Sequence, residues 1–227
     1  KVAANDATNT ISTLFCQVSG TLSSNAGYAK PQLLPTICAH GHTIAMAISE
    51  KHFILAVATK KNKVILFDIT SGRYMRSEDY SDIRPNSDSN EIQNDTLKFI
   101  IFDDSVDLLI LVSESQIKVV SLTLSYIASM NSINDPVTSI DVTDPLIWNK
   151  KPYFVTGHKS GKCCLWEVDV IHNEIRKLWM INCKLSSIVT INIFFKNKAV
   201  LVIDENGASV VLSIANMKIP FLNKSLF

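Results

Sequence analysis

The sequence from residue 153 to residue 167 is Tyr153-Phe-Val-Thr-Gly-His-Lys-Ser-Gly-Lys-Cys-Cys-Leu-Trp-Glu167. It contains two apolar runs, Tyr153–Thr156 and Lys162–Glu167, which are each the length of a β-strand and too short for a typical helix. The Gly, Lys and Ser residues between the two runs favour a tight turn. The stretch therefore predicts a β-hairpin.

The same arrangement recurs along the chain as an apolar strand ending in a small or polar residue, a tight turn and a second apolar strand. The other copies are Leu55–Asp68, Leu109–Ser121 and Val200–Ser213. The second strands end at 68, 121, 167 and 213, which gives a period of roughly 46–53 residues, typical of four-stranded propeller blades. No helical period of useful length accompanies them. We therefore predict an all-β fold with four to five blades of a seven-bladed β-propeller.

The repeat also divides the chain into blades. The predicted blades are 41–75, 96–130, 137–180 and 187–222, and residues 1–40 form a partial blade and a connection. The first residue is Lys1 rather than Met, and a propeller leaves strand edges unpaired until it closes. We therefore expect the missing blades to come from the remainder of the same parent chain.

Composition excludes several classes of protein. Hydrophobic residues make up 47% of the chain and charged residues 19%, which excludes intrinsic disorder. The net charge is +1, with 22 basic and 21 acidic side chains, so no nucleic-acid binding is expected. The five cysteines form no CxxC pair and are predicted to be free thiols, so we expect neither metal nor cofactor.

The hairpin at 153–167 resembles a WD repeat, with Trp166-Glu167 at the Trp-Asp position. A second, looser copy places Gly41-His42 at the Gly-His position, before Phe67-Asp68. In WD repeats a His, a Ser or Thr, a turn Asp and the Trp form a hydrogen-bonded network. The resemblance implies that His42 and Thr59 supply two members of it, with Asn62 near the Asp position and Phe67 in place of Trp. It gives a structural role in the blades to His42, Thr59, Phe67, Asp68, Thr156 and Trp166.

The order of the blades resembles the C-terminal propeller of BEACH-domain proteins, the beige/neurobeachin family. The run Lys63–Met75 is followed by a blade without Trp, Val119–Met130, and then by the Trp166 blade. The composition, rich in Asn and Ile, suits a fungal member. The resemblance implies a non-catalytic, protein-binding scaffold that is cytoplasmic, peripherally associated with membranes and active in vesicle trafficking and protein sorting. It also implies a BEACH domain in the parent chain.

Two other classes of function stay open at this stage. One is a WD-repeat subunit of a nuclear or RNA-processing assembly. The other is a propeller enzyme with carboxylates or a metal in its central channel, although the chain contains no nucleophile elbow, zinc-protease motif or dinucleotide fingerprint. The carboxylates Asp103, Asp104 and Asp107 are predicted to lie in a turn between strands, where Asp is favoured by local hydrogen bonding.

Two segments of opposite charge are candidate interaction surfaces. The acidic segment Ser77–Asp95 is predicted to be a flexible loop between blades. The second half of the chain is basic, and we hypothesise that Lys150, Lys151, Lys159 and Lys162 contact a partner protein or an anionic membrane.

Overall fold

The computed structural model describes residues 42–84, 95–131, 134–142, 152–194 and 199–213, together with the main chain of a few short strands before residue 39. Those strands are β1 (Val2–Asn5), β2 (Thr10–Phe15), β3 (Gln32–Leu33) and β4 (Ile37–Cys38), which pair with one another as sheet 1. Every element described after them is also a β-strand. The prediction of an all-β chain is confirmed.

Sheets 2 and 3 are antiparallel, with their strands hydrogen-bonded in chain order. Sheet 2 consists of β5 (Thr43–Ser49), β6 (Ile54–Thr59), β7 (Lys63–Asp68) and β8 (Tyr74–Asp79). Sheet 3 consists of β9 (Leu97–Asp103), β10 (Leu108–Ser113), β11 (Gln116–Ser121) and β12 (Tyr126–Asn131).

Sheets 4 and 5 follow the same order. Sheet 4 consists of β13 (Val137–Val142), β14 (Tyr153–His158), β15 (Lys162–Asp169) and β16 (Glu174–Asn182), and sheet 5 of β17 (Ile188–Phe194), β18 (Ala199–Asp204) and β19 (Ser209–Ser213). The second and third strands of sheets 2 to 5 pair in equivalent registers. In each sheet, the last residue of the sequence copy, on the third strand, faces the first residue of the second strand (β6, β10, β14 or β18). These pairs are Ile54–Asp68, Leu108–Ser121, Tyr153–Glu167 and Ala199–Ser213.

The sheets are arranged around their first strands. β5 lies beside β9, β9 beside β13 and β13 beside β17, while the last strands of sheets 3 and 4 meet at one parallel bridge, Ser129–Glu174. The amide of Ile193 on β17 donates to the Asp141 carboxylate on β13 at 2.8 Å, which links sheet 5 to sheet 4. Four-stranded antiparallel sheets whose first strands lie side by side in succession are the arrangement of propeller blades. The fold is β-propeller-like.

The central strands of sheets 2 to 4 are apolar on both faces, and sheets 3 and 4 each pack between two neighbouring sheets. On β6, Ile54, Ala56 and Ala58 pack with sheet 3, whereas Leu55 and Val57 belong to a separate cluster on the opposite face. A strand buried on both faces reads as a continuous apolar run rather than an alternating one, which is the pattern that the sequence shows. The adjacent Cys163 and Cys164 lie in different clusters, as alternation requires.

The structure corrects the predicted loop Ser77–Asp95 at both ends. Ser77 belongs to β8, and the following Tyr80 is buried against sheet 3. Asp95 is also buried and accepts hydrogen bonds from the Ser113 hydroxyl and the Ser115 amide. Residues 85–94 lie outside the described part of the chain. The acidic character of the segment arises partly from a strand and partly from a buried structural carboxylate.

Sheet 5 leaves one face open. Its packed face holds Val200 and Val202 against sheet 4. The opposite face carries Val189, Phe194 and Val211, whose exposed fractions are 49%, 47% and 65%.

The described part of the chain contains no helix with the length and apolarity needed to cross a bilayer.

Candidate interaction surface

A hydrogen-bonded network in sheet 4 connects two strands, β14 and β15, and the connection that precedes β13. Trp166 Nε1–H donates to Thr156 Oγ1 at 2.7 Å, and Thr156 Oγ1 lies 2.9 Å from His158 Nε2. His158 Nδ1 lies 2.8 Å from the main-chain carbonyl of Asp135. Trp166, Thr156 and His158 are all buried. The two residues that the WD resemblance marked in this blade, Thr156 and Trp166, therefore contact each other directly.

The network fixes the tautomer of His158. The Asp135 carbonyl can only accept, so Nδ1 carries the hydrogen and Nε2 accepts the Thr156 hydroxyl hydrogen. Burial lowers the pKa of His158, and the nearby ammonium groups of Lys162 and Lys177 lower it further, against the raising effect of Asp135. The imidazole is therefore neutral at pH 7 and serves as a relay of hydrogen bonds.

Asp135 fixes the β14–β15 turn. Its carboxylate accepts from the Ser160 amide at 3.1 Å and from the Ser160 hydroxyl. Sequence reasoning did not identify Asp135 or His158 as network members. In the WD pattern as read from the sequence, the His precedes the blade and the Asp lies in the turn, whereas here the Asp precedes the blade and the His ends β14.

Sheet 2 contains no equivalent of this network among its described residues. The register pairs Leu55 with Phe67 and Phe154 with Trp166, so the counterpart of Thr156 is the apolar Val57. By the same register, Thr59 occupies the position in β6 that corresponds to His158 in β14.

The marked residues of sheet 2 make local contacts. Thr59 Oγ1 accepts from the Lys63 amide at 3.2 Å. His42 is exposed, and its main-chain carbonyl accepts from the Lys60 amide at 2.7 Å. Asp68 accepts from the Thr70 hydroxyl and from the Thr70 and Ser71 amides, and these bonds lower its pKa.

A cleft of about 320 Å³ opens beside the network, between the end of sheet 3 and the outer strands of sheet 4. We call it the sheet 3–4 cleft. Its floor contains Cys164 and Trp166, which lie on the sheet 4 face that packs with sheet 3. The lining residues are Met130, Asn134, Asp135, His158, Lys162, Cys164, Trp166, Lys177 and Met180.

The charge of the cleft is positive. Lys177 Nζ lies 5.8 Å from the centroid of the Trp166 ring, and no carboxylate among the described residues is within ion-pair distance of Lys162 or Lys177. Asp135 is the one carboxylate in the lining, and it is already bonded to Ser160. Burial raises the pKa of Cys164 to about 11, so this thiol adds no negative charge.

The hypothesised basic face is only partly visible. Lys150 and Lys151 lie outside the described residues. Lys159 is exposed on the β14–β15 turn, and Lys162 begins β15 and lines the cleft. Lys177, which sequence reasoning did not single out for this role, lies on β16 and comes to the same cleft because β16 pairs with β15. The position of Lys177 in the cleft depends on the register between β15 and β16, which pairs it with Trp166.

Sheets 2 and 3 share a second polar cluster, which is buried. Lys118 is 5% exposed, donates to the Tyr80 carbonyl at 2.7 Å and lies over the Tyr80 ring. Tyr80 Oη donates to Ser113 Oγ at 3.0 Å, and Ser113 in turn donates to Asp95. Burial lowers the pKa of Lys118 to about 8, although the negative charge of Asp95 acts in the opposite direction.

The other groups considered for chemistry make local contacts. Asp103 accepts from the Ser105 amide in the β9–β10 turn, and Asp107 contacts Lys51 and His52 of sheet 2 at 2.6 Å. His172 bonds to Asp169 at 2.8 Å. Within the described ranges, no three His, Cys, Asp or Glu side chains gather as metal ligands.

No protein-family model matches the chain, and no curated protein matches it in sequence. Its fold is similar to that of solved structures. The computationally designed Ika4 protein is 16% identical, with a TM-score of 0.58 over 81% of this chain and 98% of that one. The computationally designed Ika8 protein is 15% identical, with a TM-score of 0.54 over 78% of this chain and 48% of that one.

A chain of the Mitotic Checkpoint Complex is 11% identical, with a TM-score of 0.65 over 94% of this chain and 60% of that one. The chain thus spans nearly all of Ika4 but about half of Ika8 and three-fifths of the checkpoint chain. At these identities the likeness concerns the fold alone. Fold and likeness together define an all-β, β-propeller-like protein.

Proposed function

We propose that this chain is a non-catalytic protein-interaction module, the C-terminal propeller of a BEACH-type scaffold in vesicle trafficking and protein sorting. The observation that carries the interaction role is the sheet 3–4 cleft, which combines an aromatic and thioether lining with lysines that have no carboxylate within ion-pair distance among the described residues. Apolar pockets with a few placed polar groups are typical of binding sites. The BEACH assignment rests on the order of the blades in the sequence. Reading the coding sequence upstream of Lys1 tests it, since a BEACH domain is expected there.

The blade count is part of this proposal. We take the chain as four to five blades of a seven-bladed propeller that the parent chain completes. The open face of sheet 5 supports this view, because half-exposed Val189, Phe194 and Val211 are the kind of side chains that a following blade would bury.

Peripheral membrane association is the proposed role of the basic face, since anionic lipid attracts clustered lysines. Replacement of Lys150, Lys151, Lys159 and Lys162 by Glu in the parent protein should lower its pelleting with phosphatidylserine vesicles several-fold at low salt. The matched control is Lys60→Glu with Lys61→Glu, two exposed lysines in the corresponding turn of sheet 2. Unchanged pelleting of the four-lysine variant would remove the membrane role.

A further inference from the structure

We propose that the sheet 3–4 cleft binds an extended acidic peptide segment of a partner protein, with an apolar side chain over Trp166 between Met130 and Met180 and a carboxylate between Lys162 and Lys177. This inference rests on the proposed interaction function and names the chemistry of the partner at one site.

The apolar half of the site consists of the two methionines and the floor between them. Met180 pairs with Cys164 across β15 and β16 and is 52% exposed, and Met130 lies near the end of β12 on the opposite wall. Methionine side chains adapt to the shape of an apolar partner and contact aromatic rings favourably. An aliphatic or aromatic side chain of a peptide would cover both of them and the edge of Trp166.

The polar half of the site selects a carboxylate. Lys177 pairs with Trp166 across the strands, and both Lys177 and Lys162 are close enough to His158 and Cys164 to affect their titration. Two ammonium groups facing one space attract an anion, since His158 is neutral and Asp135, the one carboxylate in the lining, offsets only one of the two positive charges. A basic or neutral segment would leave both lysines unpaired.

The free edge of β16 favours an extended peptide over a small anion. β16 spans nine residues, pairs with β15 along one edge and meets β12 only at Glu174 on the other. From Arg176 onward, its outer main-chain groups therefore have no strand partner in the part of the chain that the structure describes. Such an edge accepts an added strand, whose alternate side chains then enter neighbouring pockets. A free phosphate would use the lysines and leave both the edge and the methionines unused.

The test is fluorescence anisotropy with a labelled peptide, Gly-Ser-Leu-Glu-Leu-Asp-Phe-Gly-Ser, added to the parent protein. We expect saturable binding that weakens at least tenfold with the Gln/Asn version of the peptide and with the Lys177→Gln variant. Met180→Ser should weaken it several-fold. Lys60→Gln with Lys61→Gln is the matched control and should leave the affinity unchanged.

Several outcomes would overturn the inference. These are equal binding of the acidic and neutral peptides, insensitivity to Lys177→Gln, and displacement of the peptide by millimolar inorganic phosphate alone. Phosphatidylserine vesicles whose binding depends on Lys177 would assign the cleft to lipid and also overturn it. Because Lys177 is not among the four lysines of the pelleting experiment, a cleft that binds no peptide leaves the proposed membrane role standing. Unchanged pelleting of the four-lysine variant would remove the membrane role and would not affect the conclusion from the peptide-binding experiment.

Discussion

Thr156 is the residue on which the polar network of sheet 4 depends. Its hydroxyl oxygen accepts from Trp166 and its hydroxyl hydrogen is directed to His158, so one buried group satisfies two others. Thr156→Val keeps the shape of the side chain and leaves Trp166 Nε1–H and His158 Nε2 without a hydrogen-bond partner. We expect a loss of about 1–3 kcal/mol in the free energy of unfolding for each unsatisfied group, measured by urea unfolding of the parent propeller.

The control for this variant is Thr123→Val, at an exposed turn between β11 and β12. A surface substitution of this kind should change stability by less than about 0.5 kcal/mol. Equal losses for the two variants would show that the network contributes nothing beyond the ordinary removal of a hydroxyl.

Lys118 makes the stability of the protein depend on pH in the alkaline range. Its pKa is about 8 in the folded state, against 10.5 for the unperturbed side chain, so between these values the unfolded chain binds more protons. The free energy of unfolding should therefore rise with pH over this range, by at most about 3 kcal/mol.

The comparison that isolates this effect is wild type against Lys118→Met at pH 7.5 and pH 10. Other groups titrate in the same range; burial, for example, raises the pKa of Tyr80. Such groups are common to both proteins and cancel in the difference. We expect the free energy of unfolding of the wild type, relative to that of Lys118→Met, to increase between pH 7.5 and pH 10. A difference independent of pH would contradict a buried, charged Lys118.

At the scale of strands, the sequence predicted the buried elements and missed the exposed ones. β6, β10, β14 and β15 are buried along most of their length and appear as apolar runs. The last strands, β8 and β16, have exposed or half-buried side chains and carry Arg, Lys, Asp and Glu, so no apolar run marks them in the sequence. What makes them strands is pairing with β7 and β15, which no local pattern reports.

The candidate site divides in the same way. Trp166 and Thr156 were marked from the sequence because they lie in adjacent strands of one hairpin. Asp135 lies more than twenty residues before His158, and Lys177 reaches the cleft through the β15–β16 register, so their roles depend on tertiary structure. The basic excess of the second half of the chain includes Lys177, but it does not indicate which lysines come together.

The packing of sheet 4 on sheet 5 requires a residue without a side chain at position 157. A Cβ atom there would lie 2.5 Å from Ile188 Cγ2 and 2.9 Å from Ile191 Cδ1. Gly157→Ala should therefore separate the two sheets and lower the free energy of unfolding by about 1–3 kcal/mol. Thermal and urea unfolding of the parent propeller measure this loss.

A double-mutant cycle with Ile188→Ala shows whether the clash is the cause. Ile188→Ala alone should cost about 2–5 kcal/mol because it leaves a cavity, but it also makes room for a methyl group at position 157. The double variant should therefore cost less than the sum of the single variants. Strict additivity would mean that Gly157 acts through the backbone and not through this contact.

At the scale of the molecule, the open face of sheet 5 sets the solution behaviour of the chain by itself. Val189, Phe194 and Val211 form an apolar surface there, and β19 is the last described strand of its sheet, with an outer edge that has no described partner. Exposed apolar faces and strand edges promote association. The 227-residue chain alone is therefore expected to self-associate or aggregate at micromolar concentration, as measured by sedimentation velocity.

The variants Val211→Lys and Ile171→Lys separate this face from general surface hydrophobicity. Ile171 is 87% exposed on the β15–β16 turn, away from sheet 5, whereas Val211 is at the centre of β19 on the open face. Val211→Lys should shift the isolated chain toward monomer because a charged side chain opposes burial of that face, and Ile171→Lys should change nothing. If the parent chain closes the propeller as proposed, the order should reverse: a neighbouring blade would cover Val211, so Val211→Lys would lower the melting temperature of the parent protein. A monomeric wild-type chain with one sharp unfolding transition would mean that no blade is missing.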